Sequence, residues 1–163
     1  MSHRSRIIQV RLLKELYNQV VMAPSVKIEV VDKGKDMGAP EVAYVEQALQ
    51  EGWVREAKLT GHEKRLVRQL RDRTGLDDGE VESLSLARSR RVLLLVDDKE
   101  ARTVAAAMNV EHIGTAGALL EAFIRGLISY DALENAVRDL SQVTWLSPDV
   151  VADILRRAKE VRK

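Results

Sequence analysis

Apolar residues recur along most of this chain at the spacing of helices that bury one face. In residues 99–109, for example, they occupy positions i, i+3, i+4 and i+7, and this spacing predicts an amphipathic helix. Pro24 is well suited to the first turn of a helix, and Ser147 to the cap before Pro148. Together these signals predict helices over the following segments: 5–17, 24–31, 40–51, 61–73, a segment capped by Asp77 or Asp78 that ends near Ser89, 99–109, a segment after Thr115, 130–140 and a final segment from Pro148.

Short apolar runs lie between these helices and predict strands. They are Val20–Met22, a segment beginning at Trp53-Val54, residues 91–96 and Glu111–Ile113. Residues 92–96 form the best candidate for a buried strand, whereas residues 33–38 predict a loop. Strands that alternate with helices predict a small parallel sheet covered on both faces. We therefore expect a helix-rich α/β fold and a single domain over residues 1–163.

Composition narrows the class of protein. The hydrophobic fraction of 45% is sufficient for one core, and the aromatic fraction of 4% makes that core aliphatic. The absence of cysteine excludes disulfides and thiolate metal sites within this sequence. No apolar run approaches the roughly 20 residues of a membrane span, and no apolar segment typical of a signal peptide follows the basic N-terminus. We expect a cytoplasmic protein without membrane association.

The charges are balanced overall but locally uneven. Lys and Arg number 26 against 25 Asp and Glu, so the net charge of +1 neither requires nor excludes a nucleic-acid partner. A basic cluster is most often a solvated helix face, and the alternative is sequence-independent contact with a phosphate backbone. The two clusters are Lys64, Arg65, Arg68, Arg71, Arg73, and Arg156, Arg157, Lys159, Arg162, Lys163.

Acidic residues lie at two places where α/β folds position chemistry. Glu80 and Glu82 open a predicted helix, and Asp97 and Asp98 follow the best strand candidate. Glu80 and Glu82 point to nearly opposite sides of the helix, so only one of them faces a shared site. Two carboxylates about 5 Å apart repel by roughly 3 kcal/mol at an effective dielectric constant of 20. A divalent cation between the two carboxylates would replace this repulsion with attraction, which suggests a magnesium or manganese site.

Each acid also has a purely structural interpretation. Asp97 or Asp98 is suited to cap the helix that begins near Lys99, and Glu80 is suited to its own helix N-terminus. The residues alone do not decide between capping and metal binding.

Several motifs, in order along nearly the whole chain, resemble those of PIN-domain proteins. The resemblance is to the branch with a G-E-A-E-type helix, an aliphatic strand ending in two acids, and a Gly-Thr-x-Gly-x-Leu-Leu turn. The matching segments are Pro24–Glu29, Gly79–Ala87, Leu93–Asp98, Glu100–Ala105, Gly114–Leu120 and Gly126–Ile128.

The resemblance implies a three-layer α/β/α fold with a small, mostly parallel twisted sheet. It also implies a metal-dependent endoribonuclease, often the toxin of a toxin–antitoxin pair, with RNA and an antitoxin protein as partners. Carried over by position, Glu29, Glu80 and one of Asp97 or Asp98 become ligands of Mg²⁺ or Mn²⁺. The hydroxyl of Thr115 would line the same pocket.

The sequence departs from the family at its beginning. The family's first strand ends in Asp-Thr-Ser or Asn-Thr-Ser and supplies the first acid, whereas Met1 here aligns after that acid. A misassigned start codon, a shortened gene and a strand supplied by another chain all remain open. This departure motivates a second hypothesis, a catalytically impaired module that binds RNA or a protein partner. A third is a homodimer formed through an exposed sheet edge.

Overall fold

The computed structural model describes residues 11–39, 42–143 and 146–161. Its helices are α1 (residues 11–17), α2 (Pro24–Lys27), a π-helical segment (Ile28–Lys33), α3 (Gly34–Asp36), α4 (Val42–Gln50), α5 (Gly61–Arg73), α6 (Asp78–Arg90), α7 (Lys99–Ala107), α8 (Thr115–Ile124), α9 (Tyr130–Val143) and α10 (Pro148–Val161). Its strands are β1 (Val20–Met22), β2 (Val54–Glu56), β3 (Leu94–Leu95) and β4 (His112–Ile113). The predicted first half of the helix over 5–17 lies outside the described residues.

The described strands form two parallel pairs. β1 pairs with β2, with Val21 opposite Arg55, and β3 pairs with β4, with Leu94 opposite His112. The predicted helix-rich α/β class with small parallel sheets is confirmed. The parallel pairing appears here as two separate two-stranded sheets in the described part of the chain, where the sequence predicted one sheet.

The chain divides into two compact units. The strand unit is Gln19–Gly114 and holds all four of these strands, whereas the helical unit combines Met1–Asn18 with Thr115–Lys163. The single domain over residues 1–163 therefore stays a prediction.

Helix α6 forms the centre of the strand unit. Val81 and Leu84 are fully buried, and they belong to one cluster with Val67 of α5 and Leu94 of β3. Leu86 of the same helix packs instead against the residues that follow β1 and β2, Ala23 and Ala57. A single helix thus supports both sheets. Truncating a buried leucine of this kind to alanine costs about 2–5 kcal/mol.

A buried ion pair joins α5 to α6. Glu63 is 2% exposed, and its Oε1 accepts a hydrogen bond of 2.8 Å from Nε of Arg90. The hydroxyl of Ser85 donates to the backbone carbonyl of Glu63 at 2.9 Å. Because Glu63 lies near the start of α5 and Arg90 at the end of α6, these bonds fix the two helices in antiparallel orientation.

The prediction of a buried strand over residues 91–96 was wrong in its extent. Only Leu94–Leu95 is strand, and Val92, Leu93 and Leu95 are 45%, 37% and 40% exposed. At one end, Arg91 ends α6 in the left-handed region with a φ of 54°, and the Val92 N–H still donates to the carbonyl of Ala87. At the other end the cap of α7 begins at Asp98. Residues 92–97 thus lie between the two helix ends, and only Leu94 and Leu95 of them form strand.

The loop predicted over residues 33–38 was wrong for residues 33–36, whereas residues 37–38 form a turn. Helical backbone continues from Pro24 to Asp36 through the π-helical segment, and the turn begins at Met37. Gly34 lies inside this helix with a φ of −61°. A Cβ at Gly34 would lie 2.7 Å from Cγ2 of Val42, so the glycine is explained by close packing against α4 rather than by a chain reversal.

The helical unit is held by aliphatic contacts and by hydrogen bonds that join α1 to α8 and to the residue after it. Its buried residues are Leu12, Leu16, Ala116, Ala118, Leu119, Leu120, Ala122, Leu133, Val137, Leu140, Ile154 and Ala158. Arg125 donates to the carbonyl of Leu16, and Tyr17 donates to Glu121. Burial and the Glu121 carboxylate raise the pKa of Tyr17 to about 12. Across the described residues, none of the helices combines the length and the apolar character that crossing a membrane requires.

Candidate functional site

The N-terminus of α6 carries a capping box that fixes Glu80. The Asp77 N–H donates to Oε2 of Glu80 at 3.0 Å, and the Glu80 N–H donates to Oδ1 of Asp77 at 2.8 Å. This reciprocal arrangement satisfies two backbone donors that the helix itself leaves unpaired. The capping interpretation of Glu80, left open by the sequence, is therefore realised. It holds the carboxylate at the positive end of the helix dipole.

The structure distinguishes Asp97 from Asp98, which the sequence could not do. Oδ1 of Asp98 accepts from the Ala101 N–H at 2.8 Å and caps α7. Asp97 instead approaches Gly114, where a Cβ would lie 2.8 Å from its Oδ1. Any larger residue at Gly114 would force the Asp97 carboxylate to move. Gly114 therefore allows the close approach of Asp97.

Glu29 and Glu80 line one cavity of about 160 Å³. It has room for about five water molecules. It lies between the helix that follows β1 and strand β3, and its lining residues are Val26, Glu29, Asp77, Gly79, Glu80, Ser83, Leu94, Leu95 and Val96. The structure thus brings together two of the predicted metal ligands. Asp97 and Asp98 lie outside the lining, immediately after Val96.

Glu82 contributes to the cavity by positioning its wall. Its Oε2 accepts a hydrogen bond of 2.8 Å from the Ser25 N–H in the first turn of α2. A Cβ at Gly79 would lie 3.0 Å from Cγ2 of Val26, so α2 and α6 approach closely at this point. These contacts hold the helix that carries Glu29 against the helix that carries Glu80.

Negative charge accumulates around Glu80. Burial is the largest cause that raises the pKa of its carboxyl above the usual value, although the hydrogen bond from the Asp77 backbone lowers it. The negative charges of Asp77, Asp98 and Glu100 raise it further. A carboxyl with a raised pKa in a cavity is typical of a functional site, although structural acids show such shifts as well. A bound cation would relieve this repulsion.

Carboxylate oxygens are suitable ligands for Mg²⁺ or Mn²⁺, but they do not form an all-protein cage. In the ranges 11–39, 42–143 and 146–161, no group of three or more His, Asp or Glu side chains is close enough to hold a metal ion. Mg²⁺ usually retains several waters and needs only one or two protein carboxylates. Two glutamates that line one cavity are enough protein ligands for such a hydrated ion. The predicted ligand roles of Glu29, Glu80, Asp97 and Asp98 all stay predictions.

Sequence reasoning missed Asp77 and Glu100 as members of this acidic region. The signal for Asp77 was present, because Asp-x-x-Glu before an apolar run is a capping-box pattern. Glu100 gave no comparable signal. Its Oε1 accepts a long hydrogen bond of 3.4 Å from the Gly75 N–H, a contact distant in sequence. Thr115 begins α8 in the helical unit, and its predicted role stays a prediction.

The two basic clusters differ in their ion-pair partners. Nη2 of Arg71 lies 2.6 Å from Oδ1 of Asp78, so the basic end of α5 is adjacent to the acidic start of α6. In the other cluster, Arg156 pairs with Asp153 and Glu160 along α10. The solvated-face interpretation therefore applies to Arg156, whereas Arg162 and Lys163 lie outside the described residues.

Comparison with known proteins gives one match. The model of the family DUF3368, described as a PIN domain, matches residues 4–160. No curated protein and no solved structure matches the chain. The PIN domain indicates a nuclease-type function, divalent-metal use in general, and RNA binding. With the match spanning nearly the whole sequence, the chain belongs to the PIN-domain family.

Proposed function

We propose that this protein is a metal-dependent endoribonuclease whose reaction centre lies in the cavity lined by Glu29 and Glu80. The observation that carries the proposal is that Glu29 and Glu80 line one cavity. Around Glu80, burial and the negative charges of Asp77, Asp98 and Glu100 raise the pKa of its carboxyl. Among the described residues, the side chains that shift the pKa of Glu80 are acidic, whereas the structural acid Glu63 is paired with Arg90. The cavity is therefore suited to a cation that the protein does not itself supply.

A Mg²⁺ or Mn²⁺ ion bound to Glu29 and Glu80 would lower the pKa of a water molecule and orient a phosphodiester. We assign Asp97 as the additional carboxylate, because it directly follows Val96, which lines the cavity. Two further acids, Asp77 and Glu82, position the proposed ligands. Asp77 holds the Glu80 side chain through the capping box, and Glu82 holds the helix that carries Glu29.

Basic residues near the acidic start of α6 would hold the RNA backbone. Arg73 ends α5 and is exposed. Arg102 of α7 is also exposed, and its Nη1 would lie 3.8 Å from a Cβ at Gly114, close to Asp97. Such contacts are independent of base sequence and weaken as the salt concentration rises.

The test is cleavage of a labelled RNA in the presence of Mg²⁺ or Mn²⁺. Glutamine retains the capping-box hydrogen bond, so Glu80→Gln removes the charge while preserving the start of α6. We expect Glu80→Gln to abolish cleavage and Glu15→Gln, an exposed change on α1, to leave it intact. Equal cleavage by Glu80→Gln, or full activity in excess EDTA, would contradict the proposal.

A second candidate is a PIN-like module that binds RNA or a protein partner without cleaving RNA. It is favoured by the lack of a three-residue ligand group in the described residues. Calorimetry distinguishes the two functions. RNA binding without detectable Mg²⁺ or Mn²⁺ binding supports the module, whereas stoichiometric metal binding that Glu80→Gln removes supports the nuclease.

A role as the toxin of a toxin–antitoxin pair is a finer form of the nuclease proposal. Induced expression of the wild-type chain in a bacterial host should then arrest growth, whereas Glu80→Gln should not. Equal growth of the two cultures, at equal protein levels, would contradict the toxin role while leaving cleavage in vitro as a separate question.

A further inference from the structure

A second cavity, here named the arginine cavity, lies at the opposite end of α6 from Glu80. Its volume is about 210 Å³, which is room for about seven water molecules. Glu80 and Arg91 mark the two ends of α6, so they are about 16 Å apart along its axis. The residues that line the two cavities are different. Those of the arginine cavity include Arg88, Arg91, Val92, Asn109, Val110 and Glu111.

Two helix ends fix the walls of the arginine cavity. The chain leaves α6 at Arg91 and α7 at Asn109, and both residues are in the left-handed region, with φ of 54° and 53°. The Val92 N–H then donates to the end of α6, and the Val110 N–H donates to the carbonyl of Ala105 in α7 at 2.8 Å. Such hydrogen bonds close the C-terminus of a helix. The side chains that line the cavity therefore extend from backbone that is already held in place.

The charges in this cavity are not neutralised by one another. Arg88 and Arg91 line it from the end of α6, and Glu111 lines it from the residue before β4. In the part of the chain that the structure describes, none of these three side chains forms an ion pair or a hydrogen bond. Arg90, which lies between the two arginines in sequence, instead pairs with Glu63 at 2.8 Å. The cavity thus contains two positive charges and one separate negative charge.

The two arginines also have a structural interpretation. Positive side chains at the end of a helix complement its dipole, and this role needs no ligand. It accounts for the positive charge at this end of α6. It does not account for a cavity that places the carboxylate of Glu111 and the amide of Asn109 beside the same arginines.

We propose that the arginine cavity binds a small phosphate monoester, such as a nucleoside monophosphate. A monoester carries a charge of about −1.5 to −2 at neutral pH, which two guanidinium groups match, and the guanidinium fork binds phosphate oxygens in pairs. Glu111 and Asn109 accept hydrogen bonds from hydroxyl or amino groups elsewhere on the ligand. Val92 and Val110 contact its carbon atoms. The proposal does not depend on nuclease activity.

Calorimetric titration with the four nucleoside monophosphates, and with the four nucleosides that lack the phosphate, tests the site. EDTA is present throughout, so that no metal ion contributes to phosphate binding. We expect at least one monophosphate to bind, and its nucleoside to bind at least about tenfold more weakly.

Two arginine variants with the same change of charge locate the binding. Arg88 is exposed on α6, and glutamine is a good helix former, so Arg88→Gln should fold and should bind the monophosphate at least about tenfold more weakly. Arg11→Gln, an exposed change on α1, should bind as the wild type does. Absence of binding by every monophosphate, or equal losses in the two variants, would overturn the proposal. Lower stability of Arg88→Gln with unchanged binding would leave only the dipole role and would also overturn it.

Glu111→Gln gives a change of the opposite sign. Removal of this negative charge from the cavity should tighten the binding of inorganic phosphate, because the carboxylate repels the anion. Titration of inorganic phosphate into the wild type and into Glu111→Gln measures the difference. Weaker binding by Glu111→Gln would overturn the site.

Nuclear magnetic resonance of the wild-type chain gives a readout that needs no variant. Addition of the monophosphate that binds best should shift the backbone amide signals of Arg91 and Asn109, and should leave that of Glu80 in place. Shifts confined to Glu80 and its neighbours would overturn the proposal. A gain in affinity from the 5′-phosphate of a short RNA, without binding of any free monophosphate, would overturn the small ligand as the source of the phosphate.

Discussion

Two capping boxes of nearly equal geometry begin α5 and α6, and their glutamates have opposite electrostatic environments. At α5 the Thr60 N–H donates to Oε2 of Glu63 at 2.7 Å, and at α6 the Asp77 N–H donates to Oε2 of Glu80 at 3.0 Å. The hydrogen bond from Arg90 lowers the pKa of Glu63 to about 2. Burial and neighbouring acids raise that of Glu80.

The comparison shows that the capping pattern alone does not assign the function of an acid. Glu63 is nearly fully buried, and its negative charge is neutralised by an arginine of the same chain. Glu80 lines an open cavity with a second carboxylate, Glu29. We therefore interpret Glu63 as a structural residue, and the proposed function makes Glu80 a metal ligand that also caps its helix.

The largest expected effect separates the two glutamates by activity. Glu80→Gln should lower RNA cleavage by about 100-fold or more, because a catalytic metal contributes several kcal/mol to the transition state. Glu63→Gln should retain cleavage at a temperature where it is folded. Rates of cleavage of one labelled RNA, measured side by side, check this. Equal losses in the two variants would remove the distinction.

For folding stability we expect the opposite order, with the larger loss in the Glu63 variant. Glu63→Gln should lower the free energy of unfolding by about 2 kcal/mol, since it leaves the partly exposed Arg90 without its charge partner. Glu80→Gln should change it by less than about 0.5 kcal/mol, because glutamine preserves the capping box. Urea unfolding of both variants gives the values. A larger loss for Glu80→Gln would contradict the structural role of Glu63.

The two acids should also respond to pH in opposite directions. The pKa of Glu63 is lowered in the folded state, so its stabilising contribution is present above the usual value of 4.5 and is lost as the pH falls toward about 2. Unfolding curves between pH 5 and pH 2 should therefore show a steeper loss for the wild type than for Glu63→Gln. Parallel losses in the two proteins would contradict the ion pair.

For Glu80 the pKa is raised in the folded state, so its proton remains bound to higher pH than usual. Its contribution to stability is largest below the usual value and falls as the pH rises through the folded-state pKa. Metal binding must displace that proton, so Mn²⁺ affinity should increase with pH above the usual value of 4.5. An affinity independent of pH in that range would argue against Glu80 as a ligand.

The smallest expected effect distinguishes the neighbours of Glu80. Asn caps helices as well as Asp, so Asp98→Asn should preserve α7, lower the pKa of Glu80, and shift the pH midpoint of Mn²⁺ binding downward by less than about one unit. Asp97→Asn should instead weaken binding at every pH. Calorimetric titrations at several pH values measure both. A stronger loss for Asp98→Asn would reverse the assignment of these two acids.

The sequence predicted the helices well where local signals determine them. The helix Gly61–Arg73 was predicted to the residue from its aliphatic spacing, and the structure adds a capping box of Thr60 and Glu63 at its start. Prediction from the sequence failed where tertiary contacts determine the backbone conformation. Gly34 suggested a chain break, but its backbone is helical because Val42 packs against it. β3 is shorter than its apolar run, because the backbone of Val92 still bonds to Ala87 at the end of α6 and only Leu94 and Leu95 form strand with β4.

In the candidate site too, some residues could be identified from the sequence, whereas the roles of others depend on tertiary contacts. The spacing of residues placed Glu80 at a helix start, and the family resemblance pointed to Glu29, which lines the same cavity. The separate roles of Asp97 and Asp98 depend on the Ala101 N–H and on the missing Cβ of Gly114. The contribution of Glu100 depends on spatial proximity to Glu80, which the two side chains' positions in sequence do not reveal.

Titration of Mn²⁺ into the protein by calorimetry tests the central claim most directly, because it measures metal binding without RNA. We expect one site in the wild type that Glu80→Gln and Glu29→Gln each weaken at least about tenfold, an effect on the order of 1.4 kcal/mol. We also expect Glu63→Gln and Glu15→Gln to bind as the wild type does. Wild-type affinity in both Glu80→Gln and Glu29→Gln would contradict the claim that these two carboxylates hold the metal.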